Sequence, residues 1–318
     1  MSTKLDHRTC PLCEATCGLE IEIEGREITK VRGDSEDVFS AGFICPKGAS
    51  LGELQSDPDR LSTPLVRRDG ELVEASWDEA FAAIDAGLAP ILADGNRDAV
   101  AAYVGNPNAH TLDGQIHLRA LLKGLGTKNV FSASSVDQMP KQVAVAHMFG
   151  AGLSIPIPDL DRTSHLIILG ANPLASNGSL MTVPNARGRL KAIRDRGGKV
   201  VVVDPRRSRT AEVADEHHFI RPGRDAHLLA GIAQTILSEG LAEPGAHLES
   251  VCNGLDELAE HLAPFSADAV SDACGIDADE IRRMARELAA APSAAVYARI
   301  GTLSPAPNMC ATATCFGI

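Results

Sequence analysis

Four cysteines open the chain. The stretch "TCPLCEATCGLE" carries Cys10, Cys13 and Cys17, and "FICPKGAS" adds Cys45. Thiols this dense bind a metal ion, hold an iron–sulfur cluster or pair as disulfides. Structural zinc sites usually draw their ligands two and two. Here three thiols share one tight loop and a fourth comes from further on, which suits a cubane held by four thiolates. The spacing favours a four-iron four-sulfur cluster on Cys10, Cys13, Cys17 and Cys45, with zinc as the alternative. A disulfide framework is disfavoured by the expected compartment. The N-terminal residues show neither an apolar signal segment nor a twin-arginine pair, so a reducing cytoplasm is expected. Cys252, Cys274, Cys310 and Cys315 are scattered and read as small buried hydrophobes or free thiols.

The elements around the cysteines must hold them. "GLEIEIEGREITKVRGD" alternates apolar and charged residues on either side of Gly25-Arg26, the pattern of a β-hairpin. Residues 1–62 therefore form a small β-rich lobe carrying all four clustered cysteines. Pro58 and Pro64 break the chain after it. Ser76 with Glu79 three residues on reads as a capping box that starts a helix. From about residue 98 the texture changes. "AVAAYVGN", "SHLIILGAN" and "KVVVVDP" are continuous apolar runs suited to strands buried on both faces of a parallel sheet. Between and after them "TLDGQIHLRALLKGLG", "DQMPKQVAVAHMFG", "NARGRLKAIRDRGG", "RDAHLLAGIAQTILSEG" and "DADEIRRMARELAAA" read as helices, and "AAVYARIG" as a late strand. The fold class expected is an α+β N-terminal iron–sulfur lobe followed by an open, mainly parallel α/β sheet of Rossmann-like kind. The second region spans 63–302, and 303–318 is an irregular tail or the mark of a truncated or frame-shifted reading frame.

Bulk properties narrow the function classes. The chain has 318 residues and a net charge of −12, so its surface repels phosphate backbones and nucleic acid is not an expected partner. No apolar run reaches the roughly 18 residues of a membrane span. A nicotinamide site is disfavoured because no G-x-G-x-x-G follows the first strand of the sheet.

Taken together, the cysteine spacing, "CPKG", "PDRLSTPLVRRDG" and "SWDEAF" resemble the N-terminal region of the molybdopterin oxidoreductases, a family that includes formate dehydrogenases, nitrate reductases and dimethyl sulfoxide reductase. "LGANP", "VVVDPRRSRTAEVAD" and "RPGRDAHLLAGI" extend the resemblance through the α/β region. It implies a four-iron four-sulfur cluster, a molybdopterin guanine dinucleotide, and molybdenum or tungsten. It also implies a small-molecule substrate and a redox partner protein. Lys47, two residues past Cys45, matches a lysine that lies between cluster and pterin in cluster-bearing members. It would stabilise negative charge on the electron path; the bland alternative is a surface lysine.

Three turns at strand ends are candidates for the dinucleotide, since open α/β sheets bind ligands there. They are Gly105 and Asn106; Gly170, Asn172 and Pro173; and Asp204 with Arg206. Pro222, Gly223 and Asp225 add a later loop. Asp204 could accept from a guanine, and Arg206 could meet phosphate. Each turn alone is explained equally by ordinary turn chemistry. The metal-ligand loop should be "NVFSASSVDQMPKQVAVAHMFG", where Asp137 falls at the position many members give to cysteine or selenocysteine. Asp137 reads as a hard oxygen ligand or as a helix N-cap, with cap-like geometry in either case. Ser132, Ser134 and Ser135 are rivals, and His147 is expected to be packed or solvated. Family members are commonly about twice as long and carry a second pterin-binding domain. This polypeptide alone is expected to lack full activity unless a partner chain completes the site, and a non-catalytic electron-transfer or scaffold subunit is the alternative reading.

Overall fold

The computed structural model describes residues 3–178, 181–243 and 245–303. Of the expected tail 303–318, Leu303 ends a short helix and residues 304–318, with Cys310 and Cys315, lie outside the described residues. The chain divides into two compact units, one up to Ala133 and one from Ser134.

In the first unit, β1 (Thr3–Thr9), β2 (Gly18–Glu24) and β3 (Glu27–Gly33) form an antiparallel sheet in that order. The hairpin expected around Gly25-Arg26 is present, with Glu24 opposite Glu27 and Gly25 at φ +62°. A positive φ at the first central residue only is the pattern of a type II′ turn, which matches strand twist. β1 has no comparable alternation, and only its pairing with β2 makes it a strand. Two short helices follow, α1 (Pro46–Ala49) and α2 (Leu51–Gln55), then a second hairpin of β4 (Leu65–Arg68) and β5 (Glu71–Glu74). Asp69 and Gly70 both take positive φ there, as an Asp-Gly type I′ turn requires. Helix α3 (Trp77–Ala93) begins on the capping box. The Ser76 hydroxyl accepts from the Glu79 N–H at 3.2 Å, and the Glu79 carboxylate accepts from the Ser76 N–H at 2.8 Å. β6 (Ala102–Val104), α4 (Pro107–His110), α5 (Leu112–Leu125) and β7 (Val130–Ser132) complete the unit.

β6 corrects one expectation. Among the described residues it pairs with β7 alone, in a parallel two-stranded sheet, and its Tyr103 is 74% exposed. The run "AVAAYVGN" is apolar but does not become a strand buried on both faces.

The second unit holds the main sheet. It runs from α6 (Ser134–Asp137) and α7 (Met139–Phe149) to β8 (His165–Leu169), α8 (Pro173–Ser176), α9 (Ala186–Asp195), β9 (Lys199–Val203) and β10 (Glu216–His218). Helices α10 (Asp225–Ser238), α11 (Ala246–Val251), α12 (Leu258–Leu262), α13 (Ala267–Cys274) and α14 (Ala278–Ala290) precede β11 (Ala294–Ala298) and α15 (Ile300–Leu303). The four strands are parallel in the order β10-β9-β8-β11. Alternate residues sort cleanly onto two faces. Ile167, Leu169, Val201 and Val203 pack with α10, α13 and α14, whereas Leu166, Ile168, Val200 and Val202 pack with α9. Burial on both faces is why these runs lack polar alternation. Cys274 lies fully buried in the first core, as expected of an isolated cysteine, and Cys252 is half-buried.

Charges clamp the N-terminal edge of this sheet. Lys199, at the start of β9, bridges Glu216 and Glu287 at 2.6 Å each. Arg283 on α14 reaches Glu216, Glu280 and Glu287 at 2.6–2.7 Å. Burial pushes the Glu216 carboxyl up, but hydrogen bonds from Arg283, Lys199 and His218 outweigh it and hold it at about 2. Strand order reverses between β8 and β11, and a crevice at such a switch point is where open α/β sheets receive ligands.

Candidate functional site

The cysteine loop is the connection from β1 to β2. Thr9 faces Gly18 in the ladder, and the Cys10 N–H donates to the Cys17 carbonyl at 2.8 Å, closing the loop at its neck. Inside it, the Thr16 N–H donates to the Cys13 carbonyl at 3.2 Å, with Thr16 at φ +47°. Cys45 takes the N-cap position of α1, with Pro46 as the first helical residue. Cys10 and Cys17 are buried, and Leu12, Cys13, Leu19, Phe43, Ile44 and Leu51 pack around them. Gly48 explains the "CPKG" pattern physically. A Cβ there would stand 2.9 Å from Ile44 and 3.7 Å from the Cys10 sulfur, so a side chain would crowd the thiol pocket.

None of these cysteines is bonded to another. Burial pushes the Cys10 thiol up, opposed by a backbone hydrogen bond at Leu12 and by the nearby Lys47 charge, while Cys13 and Cys45 add repulsion. Burial and then repulsion from Cys10, Cys13 and Cys45 push Cys17 up to about 11. Cys10, Cys13 and Cys17 thus share an apolar cluster with Cys45 close by, and burial resists the ionisation of Cys10 and Cys17. A cationic group in the middle reverses that, because a coordinating thiol is deprotonated outright. Among the described residues, no three His, Cys, Asp or Glu side chains close to the spacing of a single ion. Four cysteine thiols are the donor set that an iron–sulfur cluster takes, so the residues present fit that group. Lys47 is exposed, on the helix turn that Cys45 caps.

The strand-end residues occupy firm turns. In the first unit, Gly105 and Asn106 are exposed between β6 and α4. The Asn106 side-chain oxygen lies 3.2 Å from His110 Nε2, and that nitrogen is 3.8 Å from Glu14 in the cysteine loop. Sequence reasoning missed His110, which no motif singles out.

In the second unit, Gly170 follows β8 at φ +54°, and Gly301 and Thr302 pack directly against it. The Gly301 N–H donates to the Gly170 carbonyl at 3.0 Å. The absence of a side chain at Gly170 is therefore required by chain-on-chain packing, whatever binds above it. The Asn172 oxygen accepts from the Thr210 hydroxyl at 2.8 Å, and Pro173 is buried as the first residue of α8. The Asp204 carboxylate accepts from the Arg206 N–H at 2.8 Å, while the Arg206 side chain is exposed. Pro222 and Gly223 shape the turn into α10. Asp225 is buried at its first position, accepts from the Thr302 hydroxyl at 2.9 Å, and is pushed up by burial.

Asp137 departs from its expected cap geometry. It is the last residue of α6, Gln138 takes the N-cap position of α7, and no side-chain cap bond is made there. The Pro140 ring at the start of α7 leaves a break between the two helices, and Asp137 sits at that break. Its Oδ1 is 3.9 Å from Arg299 Nη2. Ser134 and Ser135 lie on α6, Ser132 ends β7, and His147 is exposed. Sequence reasoning also missed Lys141 and Arg299. Lys141 Nζ donates to the carbonyl of Ala298, the last residue of β11, at 3.3 Å and lies 4.9 Å over the Tyr297 ring. No local pattern singles out either residue.

The first unit thus holds a closed thiol loop, and the second an open parallel α/β sheet with helices on both faces. The chain belongs to the molybdopterin oxidoreductase family: the molybdopterin oxidoreductase model matches residues 60–290, and the molybdopterin oxidoreductase Fe4S4 domain model matches residues 3–57. The cofactors of this class are a four-iron four-sulfur cluster and a molybdopterin carrying molybdenum or tungsten. The chain is 28% identical to the alpha subunit of formate dehydrogenase 2 of Methanococcus maripaludis, over 94% of this chain and 42% of the relative. It is 28% identical to formate dehydrogenase H of Escherichia coli, over 92% and 41%. Acetylene hydratase from Pelobacter acetylenicus superposes with a TM-score of 0.79 at 28% identity, covering 97% of this chain and 42% of that one. The chain thus spans about two fifths of the length of the relatives it matches. Among the described residues, no helix is long and apolar enough to cross a membrane.

Proposed function

We propose that the chain supplies the cluster lobe and the first dinucleotide-binding region of a molybdopterin oxidoreductase of the formate dehydrogenase or nitrate reductase kind. Electrons pass between a four-iron four-sulfur cluster and a molybdenum or tungsten centre acting on a small substrate, and a redox partner protein exchanges them with the cluster. The observation that carries this reading is the match of residues 3–57 to the Fe4S4 domain, with Cys10, Cys13 and Cys17 in one apolar cluster and Cys45 near enough to repel Cys10 and Cys17. Cys10, Cys13, Cys17 and Cys45 would hold the cluster, and the apolar shell keeps water from it. Lys47 places a positive charge beside Cys10, favouring added negative charge on the cluster. Residues 1–62 would serve as the cluster lobe and 63–302 as the dinucleotide region. The turns at Gly170 to Pro173, Asp204 to Arg206 and Pro222 to Asp225 would contact the dinucleotide. When bound, the metal supplies two-electron redox chemistry, and Asp137 would be its protein ligand through a carboxylate oxygen.

The alternative reading is an electron-carrying or scaffolding chain of the same fold. Metal analysis of anaerobically purified protein separates the two. Four irons with molybdenum or tungsten and extractable pterin support the enzyme. Iron without either supports the electron carrier, and zinc alone contradicts both.

A further inference from the structure

One buried histidine stands inside the charge clamp at the N-terminal edge of the main sheet and serves none of the chemistry above. His165 opens β8 and is 5% exposed. In the ladder it lies opposite Lys199 of β9 on one side and Ala294 of β11 on the other. Strand alternation gives its side chain the face of Ile167 and Leu169, on which α14 packs. Its backbone is fixed, with the N–H donating to the Ser293 carbonyl at 3.0 Å. Among the described residues nothing bonds its Nε2. The charged groups that face the ring are Lys199 from β9, Glu216 from β10, and Arg283 and Glu287 from α14, while β11 brings the uncharged Ala294. Those four charges are committed to one another. Lys199 holds Glu216 and Glu287 at 2.6 Å each, and Arg283 holds the same two carboxylates at 2.7 Å. A neutral imidazole fits beneath this closed set. An imidazolium has two N–H donors and asks for an acceptor at Nε2, yet each carboxylate facing it is already held by two cations. Burial accordingly holds the His165 imidazole below the ordinary histidine range.

We propose that His165 is a proton-sensing latch in the sheet edge: a proton on its ring draws Glu287 away from Lys199, and α14 loosens from the start of β9. The output follows from where the clamp is anchored. Glu287 and Arg283 both sit on α14, and Lys199 begins β9, so competition for Glu287 is competition for the helix. The sign is set by the neutral ring in the closed state. The opened edge takes up the proton more readily, so closure is favoured above the ordinary histidine range and weakens as pH falls through it.

Amide hydrogen exchange in the full-length protein reads the opening of α14. Proton–nitrogen correlation of the imidazole rings, with His165 assigned by its loss in His165→Leu, reads the latch itself. From pH 7.5 to pH 5.5, exchange in α14, corrected for its intrinsic pH dependence, should speed up about tenfold. That factor follows from a ring that protonates at about 6.5 in the open form and stays neutral in the closed one. His165→Leu and His165→Gln, one apolar and one polar, should each remove the acceleration. Helix α9, on the other face of the sheet, should show no such acceleration in any of the three proteins. The His165 ring should still read as neutral at about pH 6. A ring that titrates in the ordinary range, or an acceleration in α14 that persists in either folded variant, overturns the proposal. Acceleration shared equally by α9 also overturns it, because that reports acid loosening of the whole unit rather than release of one helix.

Discussion

Replacing Lys141 with methionine should stabilise the second unit at neutral pH, and that gain should disappear in alkali. Lys141 is lowered from 10.5 to about 8 by burial and by Arg299. Its folded value lies below its unfolded value, so the unfolded chain binds more protons between the two. Below about pH 8 the wild type carries the full penalty of a desolvated charge, and its stability recovers as pH rises from about 8 to about 10.5. The gap corresponds to about 3 kcal/mol. Methionine fills similar volume without the charge, although it gives up the bond to the Ala298 carbonyl and the contact with Tyr297. Those losses vary little with pH, so the diagnostic quantity is the pH dependence of the difference rather than its size at one pH. The assay is urea unfolding under anaerobic reducing conditions at pH 7 and pH 10.5 for both proteins. The stability difference between variant and wild type should shrink by about 3 kcal/mol across that interval. Parallel stability profiles would refute the burial of an ionised Lys141.

Other perturbations probe separate parts of the account. Cys45→Ser should leave a folded chain that loses most of its bound iron and its visible absorbance after anaerobic purification, because Cys45 supplies the closing ligand from α1. Arg283→Met removes the hub of a partly exposed network and should cost about 1–3 kcal/mol at pH 7, read as a lower urea midpoint. The same network keeps Glu216 at about 2, below its unfolded value, so its contribution is present above the ordinary glutamate range and lost as pH falls towards 2. Acid unfolding should therefore shift to higher pH in Arg283→Met. Gly170→Ala meets both a positive φ and the packed Gly301 and should cost about 2 kcal/mol or more, seen as a lower thermal midpoint.

Much of this was legible in the residues. The runs at 165–169 and 199–203 announced strands buried on both faces, and they form the centre of the sheet. Ser76 and Glu79 announced a capping box, and both of its bonds are present. The grouping of the four cysteines in the β-rich lobe followed from their spacing and from the hairpin behind them. Other features depend on contacts that local pattern does not encode. β1 is a strand only because β2 pairs with it, and the short run at 102–104 joins a separate two-stranded sheet. The Asp-Gly turn at residues 69 and 70 was a local signal left unused. Lys141 and Arg299 stand 158 positions apart, and the local pattern around neither tells that the end of β11 meets α7. Asp137 read as a helix cap because a helix follows it. The break at Gln138 and Pro140 moved the cap one residue on.

The central claim is that Cys10, Cys13, Cys17 and Cys45 hold a four-iron four-sulfur cluster. Iron and zinc determination on anaerobically purified protein, with low-temperature electron paramagnetic resonance after dithionite reduction, tests it most directly. The account predicts about four irons per chain and a reduced-cluster signal that Cys45→Ser abolishes. One zinc per chain with no iron, or iron retained unchanged in Cys45→Ser, would contradict it.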